Sequence, residues 1–270
     1  MLRSYAGKVA VITGAAHGLG RALATELAVR KSHLALIDTD AVGLQTSATV
    51  LPRDGIVVTQ HLADVASESD VERVAGEIGN AHGTAHLLIS NAAVSASASF
   101  RNMSPVSFER VMQINYFGVV NSCRSFLPLL EAHTEGQILN VSSCFGWIGY
   151  PRKAAYASSK AAVKAFSESL RWEVASHGVG VTVLYPGPLS TSIVRDGISD
   201  SEPLREKEET FLRVRGLSLE KVAQRSLDRL LANPIRIVIG LDYRLFDTLT
   251  RLSPQLACRA MQFSSERRGF

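Results

Sequence analysis

Residues 8–30 read KVAVITGAAHGLGRALATELAVR. The first seven are an apolar, β-branched run that reads as a strand, and RALATELAVR has the periodicity of an amphipathic helix. Between them TGAAHGLG, Thr13 to Gly20, places glycines at 14, 18 and 20. Glycines at such positions let the backbone turn tightly, approach a pyrophosphate and pack the helix against the sheet, so that the helix's amino-terminal N–H groups face the phosphates. Ala16, His17 and Leu19 complete the loop and are expected among the nucleotide-binding residues with Gly14, Gly18 and Gly20. The spacing is TGxxxGxG, not the commoner GxGxxG, so strand context on one side and helix context on the other carry the reading. His17 has two readings, a phosphate contact or a solvated side chain.

Working outward, the second strand ends in LALID, and Asp38 lies roughly twenty residues past the loop, where an acid accepts hydrogen bonds from adenosine ribose hydroxyls. A carboxylate there repels a 2'-phosphate, and Thr39 and Asp40 supply no cation to welcome one. NAD is favoured over NADP. Asp64 and Val65, closing the third strand, are placed to contact adenine, although an aspartate at a strand end is also an ordinary helix cap. The runs HLALID, IVVTQHLAD, HLLISNAA, QILNVSS, VGVTVLYPG and RIVIG continue the strand series, with amphipathic stretches between them. Strand–helix alternation with nearly continuous apolar strands predicts an α/β fold: a doubly wound parallel sheet of about seven strands covered by helices on both faces. Residues 189–216 break the rhythm with charge and turn formers. Because they follow a strand's carboxyl end, where ligands bind in open α/β sheets, they are expected to form a substrate lid.

At 270 residues and 46% hydrophobic composition the chain fits a single domain, 1–270, with a substantial core. The net charge of +4 comes partly from Arg251, Arg259, Arg267 and Arg268 rather than one dense run, which argues against a dedicated nucleic-acid binder. Cys123, Cys144 and Cys258 match neither a zinc site nor a disulfide framework, no metal-ligand spacing occurs, and a reducing, cytoplasmic setting follows. No signal-peptide pattern or bilayer-length apolar run is present. His33, His61 and His86 stand at strand ends, where packing is the default reading. The tail, 241–270, mixes apolar residues with arginines and breaks at Pro254. It is read as a helix packed on its own domain, with contact to a membrane surface or a neighbouring subunit as the alternative.

In AAYASSK, Ala154 to Lys160, the tyrosine and lysine are four residues apart and share a helix face. An ammonium beside a phenol favours phenolate and is expected to lower the pKa of Tyr156 from about 10. Taken in order, TGAAHGLG, SNAA, the Asn of VMQINYFG, NVSS, YASSK and LYPGPLST resemble the classical short-chain dehydrogenases/reductases over roughly residues 7 to 190.

That resemblance implies a Rossmann-type fold and a catalytic set of Asn115, Ser143, Tyr156 and Lys160, with Ser143 chosen over Ser142 by family spacing. It implies that Tyr156 is the proton acceptor or donor, that Ser143 holds the reacting oxygen, and that Lys160 tunes Tyr156 and holds the nicotinamide ribose. Asn115 is implied to interrupt a helix and hold a water beside the lysine. Asn91, Ala92 and Ala93 stand where the family usually reads NAG, Ala93 replacing a glycine. Pro186 and Gly187 are implied to cup the nicotinamide, Leu189 to line the site and Thr191 to bond the carboxamide, with Pro188 removing a backbone donor. Cys144, Trp147 and Tyr150 are expected to line a substrate pocket with Ser143; ordinary packing explains the two aromatics nearly as well, and no partnered base points to a nucleophilic Cys144.

The expected activity is NAD-dependent interconversion of a moderately apolar secondary alcohol and its ketone, of the steroid or fatty class. The alternatives are a catalytically idle cofactor-sensing or scaffold protein and an NADP-preferring reductase; a nucleotide-sugar epimerase fits the glycine spacing less well. Ala161, Ala162 and Ala165 permit close helix packing, consistent with the dimers or tetramers that the family forms.

Overall fold

The computed structural model describes residues 2–133 and 135–267. The amino-terminal half runs β1 (Val9–Thr13), α1 (Gly18–Val29), β2 (His33–Asp38), α2 (Ala41–Val50), β3 (Val58–Leu62), α3 (Glu68–His82), β4 (Leu87–Ser90) and β5 (Ala96–Ser97). Then come α4 (Pro105–Met112), a π-helical turn (Gln113–Phe117), α5 (Gly118–Glu131), β6 (Gln137–Val141), α6 (Ala154–Val174) and β7 (Gly180–Pro186). The remainder is β8 (Ile198–Ser199), α7 (Glu202–Arg215), α8 (Leu219–Leu230), β9 (Arg236–Ile239), α9 (Leu241–Leu252) and α10 (Pro254–Arg267).

Seven strands form one parallel sheet in the order β3-β2-β1-β4-β6-β7-β9, as the strand–helix rhythm predicts. β1 pairs with β2 on one side and β4 on the other, so the winding reverses between β1 and β4 and opens a crevice at the strands' carboxyl ends. Alternate residues of β1 enter different layers. Ala10 and Ile12 pack with Leu23 and Leu27 of α1 and Leu227 of α8. Val11 packs with Val74 and Ile78 of α3 and Phe126 of α5. Burial on both faces explains the near-continuous apolar strands. Each fully buried side chain of this kind contributes about 1.5–3 kcal/mol.

Local signals place the ends of elements. Ser67 caps α3 by accepting from the Asp70 N–H (3.3 Å), and Gly83 ends that helix in a left-handed conformation (φ 74°). Ser104 caps α4, with Pro105 in its first turn. Two features differ from expectation. The third strand is shorter than IVVTQHLAD, and β5 pairs with β8 in a separate two-stranded ribbon. Two-residue strands carry no periodicity and could not be read from sequence. The tail forms two helices, α9 and α10; residues 268–270, Arg268 among them, lie outside the described residues, as does the Arg267 side chain. No described helix is long and apolar enough to cross a membrane, and no three described metal-ligating side chains cluster.

Candidate active site

The glycine loop closes on itself between β1 and α1. Gly14 and Gly18 have φ of 67° and 52°, and a Cβ on Gly14 would stand 2.8 Å from the Ala92 Cα. A Cβ on Gly20 would overlap the Gly14 carbonyl oxygen, so only glycine lets the loop fold onto the first turn of α1. Asn91 clasps this turn from β4: its Nδ2 donates to the Thr13 and Gly14 carbonyls, both at 3.1 Å. The Thr13 hydroxyl accepts from the Asn91 and Ala92 N–H groups (3.0 and 3.1 Å). Behind the loop, Arg21 donates to the Ala16 carbonyl and to Ser47 Oγ, a brace that the sequence reading missed.

Asp38 stands at the end of β2, where it accepts from the N–H groups of Ala16 (2.9 Å) and Thr39 (2.8 Å). His17, 59% exposed at the side chain, is paired rather than merely solvated: its Nε2 lies 2.6 Å from Asp40 Oδ2 and ties the loop to the start of α2. Asp64 is likewise no helix cap, since Ser67 fills that role; its carboxylate accepts from Arg110 of α4 (2.9 Å) and from the Ala66 N–H (2.9 Å). Val65 is buried against Gly118, and its carbonyl accepts from Asn121.

Beyond β6 the chemistry-bearing residues converge. Ser142 donates to the Lys160 carbonyl (2.8 Å), whereas the Ser143 hydroxyl accepts from the Phe145 N–H (3.3 Å) and stands beside the Tyr156 phenol. Lys160, one turn along α6, is 2% exposed, and its Nζ stands 5.9 Å from the centre of the Tyr156 ring. Among the described residues that ammonium has one hydrogen-bond partner, the Val141 carbonyl at 3.0 Å. Asn115 is fully buried in the π-helical turn: its Oδ1 accepts from the Val94 N–H (2.8 Å), and its Nδ2 donates to the Val94 carbonyl (3.0 Å) and Ser159 Oγ (3.1 Å).

The electrostatics correct one expectation. Tyr156 is pushed up to about 12 by burial, with the Ser143 hydrogen bond pulling the other way, instead of being depressed by the lysine. Lys160 is itself lowered to about 8 because burial disfavours its charge. Two adjacent desolvated groups each lose hydration, and at this separation the cation does not reverse that loss for the phenol. The protonated phenol is ready to donate. Burial likewise raises the Cys144 thiol to about 11, which keeps it protonated and not a thiolate nucleophile.

Leu189 bridges Leu217, so the 189–216 segment leaves and rejoins the domain at one place. Near its start, Thr191 rests against Gly18, bringing the glycine loop and the residues after β7 together. Pro186 ends β7, and the next residue, Gly187, faces Tyr243. Ala93 lies between the Asn91 clasp and Val94, which Asn115 holds. Tyr150 contacts Phe145 (5.4 Å), whose ring meets Tyr156 edge-on (6.4 Å), so Phe145, which the sequence did not single out, stands against the phenol. Trp147 packs on Tyr185 (4.8 Å) in the cluster with Val183, Val238 and Tyr243, as ordinary packing predicts.

The segment is fastened by charge. Lys153, immediately before α6, donates to Ser97 Oγ and to Glu208 of α7 (2.8 Å), and Ser97 donates to the same carboxylate oxygen (2.7 Å). Arg152, in a left-handed conformation (φ 65°), pairs with Asp200, which also accepts from Asn102 (2.9 Å). These pairings join residues from 48 to 111 positions apart, and no local pattern announces them.

A crevice at the winding reversal, a glycine loop on one wall and a Ser–Tyr–Lys cluster on the other define an oxidoreductase of the short-chain dehydrogenase class. The short chain dehydrogenase family model matches residues 8–202, and the chain belongs to that family, whose members act on CH–OH donors. It is 36% identical over 255 residues to the oxidoreductase SadH of Mycobacterium tuberculosis, covering 93% of this chain and 92% of that one. It is 29% identical to estradiol 17-beta-dehydrogenase 11 of Macaca fascicularis, covering 78% and 72%. Among solved structures, a short-chain dehydrogenase/reductase from Burkholderia phymatum in complex with NAD superposes with a TM-score of 0.84 at 28% identity, over 93% of this chain and 96% of that one.

Proposed function

We propose that this enzyme interconverts a secondary alcohol and its ketone with NAD as the redox partner. The observation that carries the reading is the convergence of the Ser143 hydroxyl, the Tyr156 phenol and the singly bonded, buried Lys160 ammonium beside the crevice. A buried ammonium with unused donors suits a pair of ribose hydroxyls. Gly14, Gly18 and Gly20 leave the backbone close approach that a pyrophosphate requires, and Asp38 and Asp40 favour NAD over NADP because their charges oppose a 2'-phosphate. When bound, the nicotinamide supplies the hydride acceptance and donation.

The chain's residues handle the proton and the geometry. Tyr156 donates its proton to the ketone oxygen in reduction and accepts the alcohol proton in oxidation. Ser143 holds that oxygen by a second hydrogen bond. Lys160 stays protonated below its pKa of about 8 and holds the ribose. Asn115 braces the turn of α6 that carries Lys160, through Ser159. The Phe145–Tyr150 ring pair, with the 189–216 lid, fits a moderately apolar substrate, and the steroid alcohol in one relative's name is of that class. Ala161 and Ala165 are exposed on α6 near Trp172, which is 75% exposed, and this face supports a homodimer or homotetramer.

Tyr156→Phe tests the reading. Removal of the phenolic proton should lower kcat by at least about a thousandfold, measured by NADH absorbance across a panel of secondary alcohols and ketones. NAD binding, followed by tryptophan fluorescence, should change little. Turnover at the wild-type rate would defeat the proposal, and a wild-type enzyme inert across the panel would favour a cofactor-sensing role.

A further inference from the structure

The two faces of α9 have opposite characters. Tyr243, Phe246 and the buried Asp247 face the domain, where Asp247 pairs with Arg236 (2.8 Å). Leu241, Leu245 and Leu252 are 72%, 67% and 81% exposed. At helical geometry these three fall within an arc of roughly 40° and extend about 16 Å along the axis. A leucine stripe on the outer face of a helix is not explained by the domain's own core.

Beside it lies a concentration of positive charge. Arg225 and Arg229 of α8 and Arg244 of α9 line one surface depression with Leu241. Among the described residues none of the three forms an ion pair. Arg229 donates to the Val238 carbonyl (3.0 Å), and its pKa is lowered by burial and then by the nearby Arg244 and Arg225. Like charges gathered without a carboxylate are complementary to an external anion. Arg251 also flanks the stripe and is shared with Asp247. Beyond Pro254, α10 continues in kind, with Leu256 53% exposed and Arg259 exposed.

We infer that the α8–α9 surface is a docking face for an anionic membrane: Arg225, Arg229 and Arg244 engage lipid phosphates while Leu241, Leu245 and Leu252 enter the headgroup boundary, with α9 lying in the interface plane. A second copy would cover the leucines but would set this unpaired arginine cluster close to its own image. An anionic leaflet satisfies both the apolar stripe and the charge.

The test is co-sedimentation of the full chain with vesicles of phosphatidylcholine alone or with one third phosphatidylglycerol, in low and high salt. Binding to the anionic vesicles should exceed binding to the neutral ones by at least tenfold and fall as salt rises. Each removed arginine should cost roughly fivefold, so the double variant Arg225→Gln/Arg244→Gln should bind more than tenfold more weakly. Leu245→Gln/Leu252→Gln should also bind more weakly, at unchanged helical circular dichroism, and Arg225→Glu supplies a second charge variant at an exposed position. Equal binding to both vesicle types, or arginine variants that bind like wild type, would overturn the inference. So would a soluble oligomer that the leucine variant splits, without vesicle binding, because a second copy would then be the occupant. Retention of inorganic phosphate by the arginines without vesicle binding would overturn it in favour of a free anion.

Discussion

Lys160 carries a charge into a place where water cannot solvate it, and the Val141 carbonyl alone does not make good that loss. Its lowered pKa, about 8, has a consequence for binding. A ligand whose hydroxyls accept from the ammonium raises this pKa, so by linkage its affinity is greatest below pH 8 and weakens as the pH climbs past it. The NAD dissociation constant should therefore be flat from about pH 6 to 7.5 and rise by up to about tenfold per pH unit above 8. Calorimetric titration across that range checks this, and Lys160→Met should bind weakly with no pH dependence. A constant that stays flat to pH 9.5 in the wild type would remove Lys160 from the ribose site. At the same scale the sequence identified the phenol and the ammonium but misjudged their electrostatics, because burial is a property of the surroundings and not of the pair.

At the scale of elements, α7 is fixed to the entrance of α6 by Lys153, Glu208 and Ser97, and the ribbon of β5 and β8 runs beside them. Lys153 is 7% and Glu208 12% exposed at the side chain. Removing one partner of so buried a pair costs about 3–5 kcal/mol, chiefly by leaving the other charge uncompensated. Glu208→Gln should therefore loosen the 189–216 segment rather than unfold the sheet. Trypsin should cleave within 202–215 at least about tenfold faster, and KM for the organic substrate should rise more than kcat falls. Lys153→Met/Glu208→Leu, which removes both charges, should restore protection. An unchanged cleavage rate in Glu208→Gln would show that the pair does not hold that segment. Charge and turn formers marked 189–216 as an excursion from the strand–helix rhythm. Its fastening depended on residues 48 to 111 positions away and left no local trace.

Over the whole molecule, stability depends on groups kept neutral in the fold. His86, before β4, accepts from the Val9 N–H through Nδ1 (3.2 Å) and stacks on His133 (5.0 Å). Burial first, then Lys8 and His133, lower its pKa to about 4, against about 6.5 in an unfolded chain. Between those values the unfolded state binds more protons, so the contribution of His86 is complete above pH 6.5 and is lost as the pH falls through 4. Urea unfolding at pH 7.5 and 4.5 should show that loss, and His86→Asn, whose amide cannot titrate, should show a shallower one. Equal slopes would assign the acid sensitivity to other groups. The parallel sheet, the glycine loop and the order of the motifs were determined by the sequence alone, because β-branched runs, helical periodicity and glycine's freedom at positive φ act over a few neighbouring residues. Only the tertiary structure decided that His17 turns to Asp40, that Lys153 finds Glu208, and that Leu241, Leu245 and Leu252 of α9 stay outside. Each of those outcomes depends on desolvation and on partners distant in the chain, which exist only once the layers have packed.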